Sequence, residues 1–424
     1  MLKINKRTKL AVMITAITMT SSTAVVQAAG FQLKEQSAEG QGNSFAGQTA
    51  KAVDASTIFF NPAGMTRIKG NHVQSNLSFI RPSADYSHKS NSSAGGGAIL
   101  NRTTGVDGGS SALVPAAYAL WDYSDDIKLG ISINAPFGLS TEYDEDWIGA
   151  QYNVFSEIKT INFAPSIAYR VNDQLSIGGN IQFQKIEGKL SNINFVPGAV
   201  LSTLTADDTG LGYSFGFLYE YSDTGRVGFN YRSKIKHTLK GDLSTPDSAS
   251  ENLNFDAHAD LTLPAVVSVG LYQEVSDKWT LLADIAWTDW SELDELNVIR
   301  DSDGSTRSTT VYNWDDTIFA AIGANYQFNE KLQLKFGIAY DEGAANDADR
   351  TAGIPDATRY WASIGASYKI NDQATLNAGY SHIKAKKAKI NENHKLGNLG
   401  GGTEFSGEFD SNIDILSIGF DYKF

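Results

Sequence analysis

Residues 30–70, GFQLKEQSAEGQGNSFAGQTAKAVDASTIFFNPAGMTRIKG, differ from everything that follows them in the chain. They are rich in small residues and lack sustained two-residue alternation, and two short apolar bursts interrupt them at 31–33 and 58–60. Nearly all of the later sequence alternates with period two, which is typical of β-strands with two different faces. We therefore interpret residues 29–70 as a plug and residues 71–424 as a wall of strands closed around it.

A basic and apolar leader precedes the plug. Residues 1–28 contain four Lys/Arg and no acid, then an apolar run at 10–19, then small residues that end at Ala28. This order is that of a secretory signal with cleavage after Ala28, and the apolar run is too short for a membrane-spanning helix. We expect export of the chain, with an uncleaved anchor as the alternative.

Charge and composition exclude several kinds of chemistry. Without the leader the chain has 31 Lys/Arg against 48 Asp/Glu, a net charge of −17, which argues against nucleic acid as a partner. There is no cysteine, so disulfides and thiol chemistry are excluded. The six histidines are scattered without the spacing of metal ligands, and we predict neither a metal nor another cofactor.

Beyond residue 70 the chain repeats a unit of two alternating segments joined by a tight polar turn and followed by a long polar segment. The tight turns are built from residues that favour turns, and there are six, at 124–126, 172–174, 222–225, 276–278, 329–331 and 371–373. The long segments are seven, near 82–113, 138–156, 190–208, 242–257, 299–309, 342–357 and 388–408. This pattern predicts fourteen strands, with both ends of the wall on the short-turn side.

The strands have the two faces of a membrane barrel. In the strand at 210–221, Leu211, Tyr213 and Phe215 alternate with glycine and serine. Aromatic residues lie beside nearly every tight turn, as in the interfacial girdles of outer-membrane barrels: Tyr123, Tyr169, Tyr221, Tyr272, Trp279, Phe328, Tyr368 and Phe424. We predict an all-β fold, a 14-stranded antiparallel transmembrane β-barrel in the cell outer membrane, with a soluble all-β sandwich as the alternative.

The strand count gives the plug a role. About eight strands leave an interior that side chains can fill, while sixteen or more leave an aqueous channel. Fourteen strands lie between these limits, so the lumen would leak unless something occupied it. The segment without alternation is the sizeable piece that could do so, whereas a disordered N-terminal tail would not need the apolar bursts.

Short motifs occur in a fixed order along the mature chain. They are Ala29-Gly30-Phe31-Gln32-Leu33, Asn61-Pro62-Ala63, Tyr231-Arg232-Ser233-Lys234, Leu263-Pro264, Trp290-Ser291, Ile354-Pro355-Asp356 and Arg359-Tyr360-Trp361. In this order, before a C-terminal Phe, they resemble the FadL family of outer-membrane long-chain fatty acid transporters, whose relatives import aromatic hydrocarbons. The resemblance implies passive uptake of a hydrophobic molecule. The molecule is caught at the outer loops, moves to a site in the lumen, and leaves sideways when the plug shifts beside a kinked third strand.

Apolar residues in two of the long segments form a candidate capture surface, because apolar groups in exposed loops indicate a contact surface. The candidates are Trp147, Ile148, Phe155, Phe195, Val196, Val200, Leu201 and Leu204, of which the last three have helical spacing. Packing against neighbouring loops is the alternative role for these residues.

A fatty acid carboxylate inside the barrel needs a cation. The resemblance places Lys185, on the fifth strand, where the family has a basic ligand-contacting residue. The full set of lumen candidates is Lys185, Arg232, Arg350, Arg359 and Phe31. A second basic position of the family, at the start of the tenth strand, is Asp315 or a near neighbour here, which leaves a less anionic ligand possible.

The third strand contains a proline, which cannot donate to a ladder and belongs at edges or bulges. We expect a kink in the wall at this place, or else a strand that ends where Pro136 opens the loop. The kink residues are Asn134, Pro136, Phe137 and Gly138. From the resemblance, the hatch gate is expected where the plug meets the wall near this break, at Asn61, Pro62, Ala63 and Gly64.

These features predict a passive importer of long-chain fatty acids or similar hydrophobic compounds, and not an enzyme. Within transport the alternative is an aromatic hydrocarbon or alkane importer, and from other classes a barrel lipid hydrolase, a surface adhesin or a phage receptor. We expect a monomer that contacts outer-membrane lipid and lipopolysaccharide, the latter through the cluster Lys384, Lys386, Lys387 and Lys389. The terminal Phe424 resembles the signal read by the barrel assembly machinery.

Overall fold

The computed structural model describes residues 30–89, 103–194, 200–245, 254–395 and 402–424, so the expected signal at 1–28 lies outside the described residues. Its wall is a closed belt of fourteen antiparallel strands, which confirms the predicted barrel. We number all strands of the described ranges in chain order. The belt consists of β1 (His72–His88), β3 (Ala112–Asp122), β4 (Ile127–Asn134), β6 (Phe155–Arg170), β7 (Leu175–Asn194), β8 (Val200–Ser222), β9 (Gly225–Arg232), β12 (Val266–Glu274), β13 (Trp279–Thr288), β16 (Thr317–Gln327), β17 (Leu332–Asp341), β18 (Arg359–Lys369), β19 (Ala374–Ala385) and β21 (Gly402–Lys423).

The first and last strands close the barrel, and the belt strands alternate as expected. The ladder between β1 and β21 runs from His72 opposite Lys423 to His88 opposite Gly407. On β8, Leu211 and Tyr213 are 65 % and 53 % exposed, while the residues between them are buried. Apolar side chains therefore face the lipid, and small and polar ones face the lumen.

The long segments are mostly strand and extend the wall beyond the belt. The additional strands are β2 (Gly105–Asp107), β5 (Gly138–Glu142), β10 (Ile235–Ser244), β11 (Phe255–Leu263), β14 (Glu295–Arg300), β15 (Thr306–Val311) and β20 (Ala388–Lys395). The segment at 190–208, expected as a loop with helical spacing, is a hairpin in which β7 and β8 pair as far as Asn194 and Val200. The helical expectation is wrong because the ladder continues here, and in a ladder Leu201 and Leu204 belong to opposite faces.

Residues 30–70 lie inside the barrel as a series of short helical turns. They form α1 (Ala38–Gln41), α2 (Gln48–Lys51), α3 (Thr57–Phe60) and a 3₁₀ helix at Pro62–Arg67. The Ser37 side chain caps α1 by accepting from the Gly40 amide, and Asn61 caps the 3₁₀ helix through the Ala63 amide. None of the helices in the described part of the chain is long and apolar enough to cross a membrane.

Glycines of the wall allow the plug to approach closely. A Cβ added at Gly337 of β17 would lie 2.1 Å from the carbonyl carbon and oxygen of Asn43. One added at Gly178 of β7 would lie 2.5 Å from the Ala63 amide nitrogen. Backbone thus packs directly on backbone at these two places, and no larger residue fits between plug and wall.

Gly337→Val should prevent the plug from seating while the belt still closes, because the clash is with plug backbone that cannot rotate away. We expect a higher and noisier conductance in planar bilayers than for the unchanged protein. Gly105→Val is the control, since the nearest atom to a Cβ at Gly105 is 4.0 Å away. Equal conductance of the two variants would contradict close plug–wall packing.

Candidate functional site

The wall is broken between β4 and β5. Asn134 pairs with Asn162, but Gly138 pairs with Lys159, so three residues of this strand lie opposite two residues of β6. On its other side, β4 pairs with β3 only as far as Ile133, which lies opposite Ala117. The strand β3 extends beyond Ala117 to Ala112 without pairing with β4. The backbone of residues 134–138 therefore leaves the regular ladder, as expected from the proline at this place.

The beginning of the plug fills this break. The Leu33 amide donates to the Pro136 carbonyl at 2.8 Å, and the Gly138 amide donates to the Phe31 carbonyl at 2.8 Å. The Gln36 side chain donates to the Ala135 carbonyl at 2.7 Å and accepts from the Ala135 amide. Residues 31–36 thus satisfy backbone groups of Ala135, Pro136 and Gly138, while the Thr160 hydroxyl of the wall bonds to both backbone groups of Phe137.

The expected hatch gate at 61–64 contacts a different part of the wall. The Asn61 side chain donates to the Thr49 carbonyl at 2.7 Å within the plug and to the Phe217 carbonyl of β8 at 2.9 Å. Pro62, Ala63 and Gly64 are buried, and the first two lie against Gly178 of β7. The contact with the wall exists, but its expected place near Pro136 is corrected, because residues 31–36 occupy that position.

Phe31 joins the break to an aromatic cluster at the long-loop end of the lumen. Its ring lies 4.9 Å from Trp290, 5.9 Å from Trp314 and 6.1 Å from Phe137, measured between ring centroids. Phe31 is fully buried. Phe31 therefore packs the start of the plug against the wall at the level of the break.

A small cavity of about 60 Å³ lies between plug and wall next to this segment. Aromatic side chains from both parts line it, namely Phe45, Phe59, Phe60 and Phe319. Three charged groups also line it, Lys34 of the plug and Arg232 and Asp284 of the wall. Uncharged polar residues, among them Gln48, Asn230 and Ser268, also line it, so the cavity combines aromatic walls with convergent polar groups, as small-molecule sites do.

The three charged groups are held differently. Arg232 donates to the Phe59 carbonyl at 2.7 Å and lies 3.7 Å from the Phe59 ring centroid. Asp284 accepts from the Thr49 amide at 2.9 Å and from the Thr49 hydroxyl at 3.1 Å. The Lys34 ammonium lies 4.1 Å from the Phe319 ring centroid. Arg232 is among the residues predicted from the sequence, and Lys34 is not. The position of Lys34 directly after an apolar burst of the plug could have indicated a cation in the lumen.

Arg350 and Arg359 lie outside this cavity, Arg350 in the long segment at 342–357 and Arg359 at the start of β18. Arg359 is buried between Asp356, 2.8 Å away, and Asp341, 3.5 Å away. Arg350 donates to the carbonyls of Asp356 at 2.7 Å and Ala345 at 3.0 Å. Arg350 is thus held by backbone carbonyls and Arg359 by two aspartates of the protein itself.

Lys185 does not face the lumen, which corrects its expected position. Its side chain is 48 % exposed and pairs with Glu187 at 2.7 Å. Lys185 lies an even number of positions from Ile181 and Phe183 on β7, so its side chain is on the same outer face as theirs. Because successive side chains of a strand point to opposite faces, an alignment that is one residue off moves the side chain from lumen to exterior.

The expected capture residues differ in their surroundings. Trp147 is fully buried, with its ring stacked 4.1 Å from Tyr143 and its indole nitrogen donating to the Asn153 carbonyl at 2.7 Å. The role of Trp147 as an exposed contact is therefore corrected to packing within the loop. Partly buried members of the expected set are Ile148, Phe155, Leu201 and Leu204. Phe195 and Val196 lie outside the described residues, and Val200 begins β8.

Two of the clustered lysines are engaged by acids of β21. Lys384 pairs with Asp410, and Lys387 pairs with Glu408 at 3.0 Å. Their charges are therefore partly compensated by the protein itself.

A buried group of three charges fixes the middle of the plug. Glu39 pairs with Lys51 of the plug at 2.7 Å and with Lys335 of β17. Burial by itself would raise the pKa of Glu39, but Lys335 and Lys51 outweigh it and lower the pKa to about 2. Burial lowers the pKa of Lys51 to about 8, although Glu39 opposes this shift. Glu39 therefore remains ionised between two cations.

Comparisons with known proteins agree with this architecture. Residues 19–424 match the family described as outer membrane protein transport protein (OMPP1/FadL/TodX). The chain is 28 % identical over 422 residues to the 47 kDa outer membrane protein of Pasteurella multocida, covering 93 % of this chain and 94 % of that one. It is 28 % identical over 397 residues to the long-chain fatty acid transport protein of Salmonella typhi, covering 86 % and 89 %. The crystal structure of a Pseudomonas aeruginosa FadL homologue superposes with a TM-score of 0.85 at 25 % identity, covering 93 % and 100 %.

The buried charges predict a dependence of stability on pH. Because the pKa of Glu39 is about 2 in the folded protein and about 4.5 otherwise, its contribution is fully present above pH 4.5 and is lost as the pH falls towards 2. Glu39→Gln should destabilise the protein by about 3–5 kcal/mol at neutral pH, since two buried cations lose their counter-ion. The variant should also lose less stability than the unchanged protein between pH 4.5 and 2.

Thermal unfolding of the purified protein in detergent, followed at stepped pH, checks this prediction. Glu187→Gln is the matched control, because Glu187 is exposed on the outer face and also pairs with a lysine. Parallel pH curves for the unchanged protein and Glu39→Gln would contradict the assignment.

Proposed function

The chain belongs to the family of outer membrane transport proteins that includes FadL and TodX, and from this premise we propose that it imports long-chain fatty acids. The relatives of the family are transport proteins and not enzymes. The chain is accordingly an outer membrane transporter of hydrophobic compounds. The fatty acid specificity and the route through the protein are our proposal.

The observation that carries the proposal is a wall break filled by plug backbone. An apolar molecule gains little from a watery pore, because about 0.8 kcal/mol is recovered for each methylene that leaves water. It gains most from a path that leads from apolar lumen to lipid. The break at 134–138 lies in the wall itself, so withdrawal of residues 31–36 would open a lateral exit into the membrane.

The path begins at the outer end of the barrel. Ile148, Phe155, Leu201 and Leu204 are partly exposed there and supply an apolar capture surface. The ligand then moves inward past Phe31 to the cavity lined by phenylalanines, where Arg232 lies. Displacement of the plug's first residues both enlarges this cavity and uncovers the break.

The termini support assembly in the outer membrane. We propose that residues 1–28 act as a removable secretory signal and that the C-terminal strand with Phe424 is read by the barrel assembly machinery. The protein is proposed to act as a monomer, because its belt closes within one chain. Contact of the lysine cluster with lipopolysaccharide is a further part of the proposal.

A disulfide across the break should block transport. Gln32 and Phe137 form an isolated antiparallel bridge. The flanking bonds from Leu33 to Pro136 and from Gly138 to Phe31 make it a close, non-hydrogen-bonded pair, which suits disulfide geometry. Because the chain has no cysteine, Gln32→Cys with Phe137→Cys forms one defined bond. We expect labelled oleate uptake by cells without their own transporter to stop on oxidation and to return on reduction.

The single-cysteine variants are the controls and should import oleate under both conditions. Transport by the oxidised double variant at the unchanged rate would show that the first residues of the plug need not move.

Restoring the wall should also reduce transport. Pro136→Val supplies an amide donor and a β-branched side chain, both of which favour continuation of the strand. We expect lower oleate uptake with unchanged heat-modifiable mobility of the barrel in gels, since the belt does not depend on this residue. Unchanged uptake would show that the ligand does not leave the barrel through the break.

A further inference from the structure

Two cations, Lys34 and Arg232, line the cavity beside the plug, and neither forms an ion pair with a carboxylate in the described ranges. Lys51 and Lys335 share Glu39, and Arg359 lies between two aspartates. Within the described ranges no carboxylate oxygen lies within 4.0 Å of the Lys34 ammonium. Its closest recorded contact is the face of the Phe319 ring. Lys34 is partly buried and lines the cavity, and because an ammonium withdrawn from water without a counter-ion is costly, it is a candidate for binding an anion.

The surroundings of Lys34 agree with a missing anion. Burial lowers the pKa of Lys34, and the carboxylates of Asp341, Asp284 and Glu35 raise it only in part. Asp284 is the carboxylate that lines the same cavity, and Thr49 occupies both of its oxygens. Among the charged groups that line the cavity, Lys34 and Arg232 face Asp284 alone, while Asp341 and Glu35 act on Lys34 from beyond ion-pair distance.

The other half of the site is apolar. Phe45, Phe59 and Phe60 come from the plug, and Phe319 comes from β16. The rings of Phe59 and Phe60 lie 5.0 Å apart edge to face, and those of Phe45 and Phe60 lie 5.9 Å apart. A ligand that satisfies this cavity combines an anionic end with an apolar chain.

We propose that Lys34, a residue of the plug, binds the carboxylate of an amphipathic ligand in this cavity and selects fatty acids over neutral hydrocarbons. The inference rests on the proposed transport function and names the substrate class for it. Arg232 is less suited to this role, because its guanidinium already donates to the Phe59 carbonyl and stacks on the Phe59 ring. Lys34 thus has donors free in the described structure.

The position of Lys34 connects recognition to the wall break. Lys34 directly follows Leu33, whose amide donates to the Pro136 carbonyl. The cavity of about 60 Å³ is too small for a long acyl chain. Entry of the chain must therefore displace the segment that carries both Lys34 and the bond to the break.

Equilibrium binding to the purified full-length protein in detergent tests the assignment. The probes are radiolabelled oleate and oleyl alcohol, which share the acyl chain and differ in charge. Lys34→Met keeps a similar length without the charge and should weaken oleate binding roughly 10- to 100-fold, the range expected for one charge-assisted bond. Oleyl alcohol binding should change less than about twofold, since it is the charge that is removed.

Two further variants control the experiment. Lys34→Arg retains the charge and should retain the preference for oleate. Lys185→Met removes a lysine from the outer face and should leave both affinities unchanged, because Lys185 already pairs with Glu187. Unchanged oleate binding by Lys34→Met would overturn the inference, and so would equal losses for both probes, which would indicate a structural role.

Uptake by cells separates this inference from the proposed function. If the unchanged protein neither binds nor imports oleate, the proposed function fails and the inference fails with it. If the unchanged protein imports oleate and Lys34→Met retains the full preference for oleate over oleyl alcohol, only the inference fails.

Discussion

Every backbone amide and carbonyl in a membrane must find a partner inside the protein, because lipid supplies none. The belt meets this requirement by closing β1 on β21, so that no edge strand remains. It fails to meet it at 134–138, where Pro136 interrupts the strand. There the amide of Leu33, the carbonyl of Phe31 and the side chain of Gln36 take the place of the missing ladder. The plug is therefore part of the hydrogen-bond system of the wall, and the wall is complete only while the plug is seated.

The need to pair buried polar groups also applies to the plug, which is polar although the barrel transports hydrophobic compounds. Buried ionic groups cost desolvation energy and seldom add net stability, but removal of one partner is strongly destabilising. Glu39, between Lys51 and Lys335, thus defines where the plug sits more than how strongly it is held. The Asn61 contact to β8 and the glycine at 337 define its position at other points. The segment at 31–36 is joined to the break by four hydrogen bonds, in which three donors are backbone amides and the fourth is the side-chain amide of Gln36.

Features that rest on a repeated sequence pattern are predicted correctly, whereas the positions of single side chains are not. The six turns and the long segments between them predict the fourteen strands, because alternation and turn residues are each repeated many times along the chain. The break at Pro136 was predictable because proline lacks a donor. Lys185 was misplaced because one residue of register exchanges lumen and exterior. The apolar residues around Trp147 fit both an exposed contact surface and packing between loops, and in the structure Tyr143 and Asn153 contact Trp147, which is packed. Lys34 is not predictable as a ligand contact, because only the folded chain shows which cations of the lumen lack a counter-ion.

The barrel and its strand number can be read from the amino-acid sequence, since periodicity and turn chemistry are local properties, and the missing amide of proline marks the place of the break in the same way. Which plug residues fill the break and which cations face the cavity depends on how the chain folds in three dimensions. Contacts between residues more than a hundred positions apart depend on how the belt closes and on the depth at which the plug sits. For this reason residues 31–36, and not 61–64, lie at the break, and Lys34 rather than Lys185 lies beside the phenylalanines.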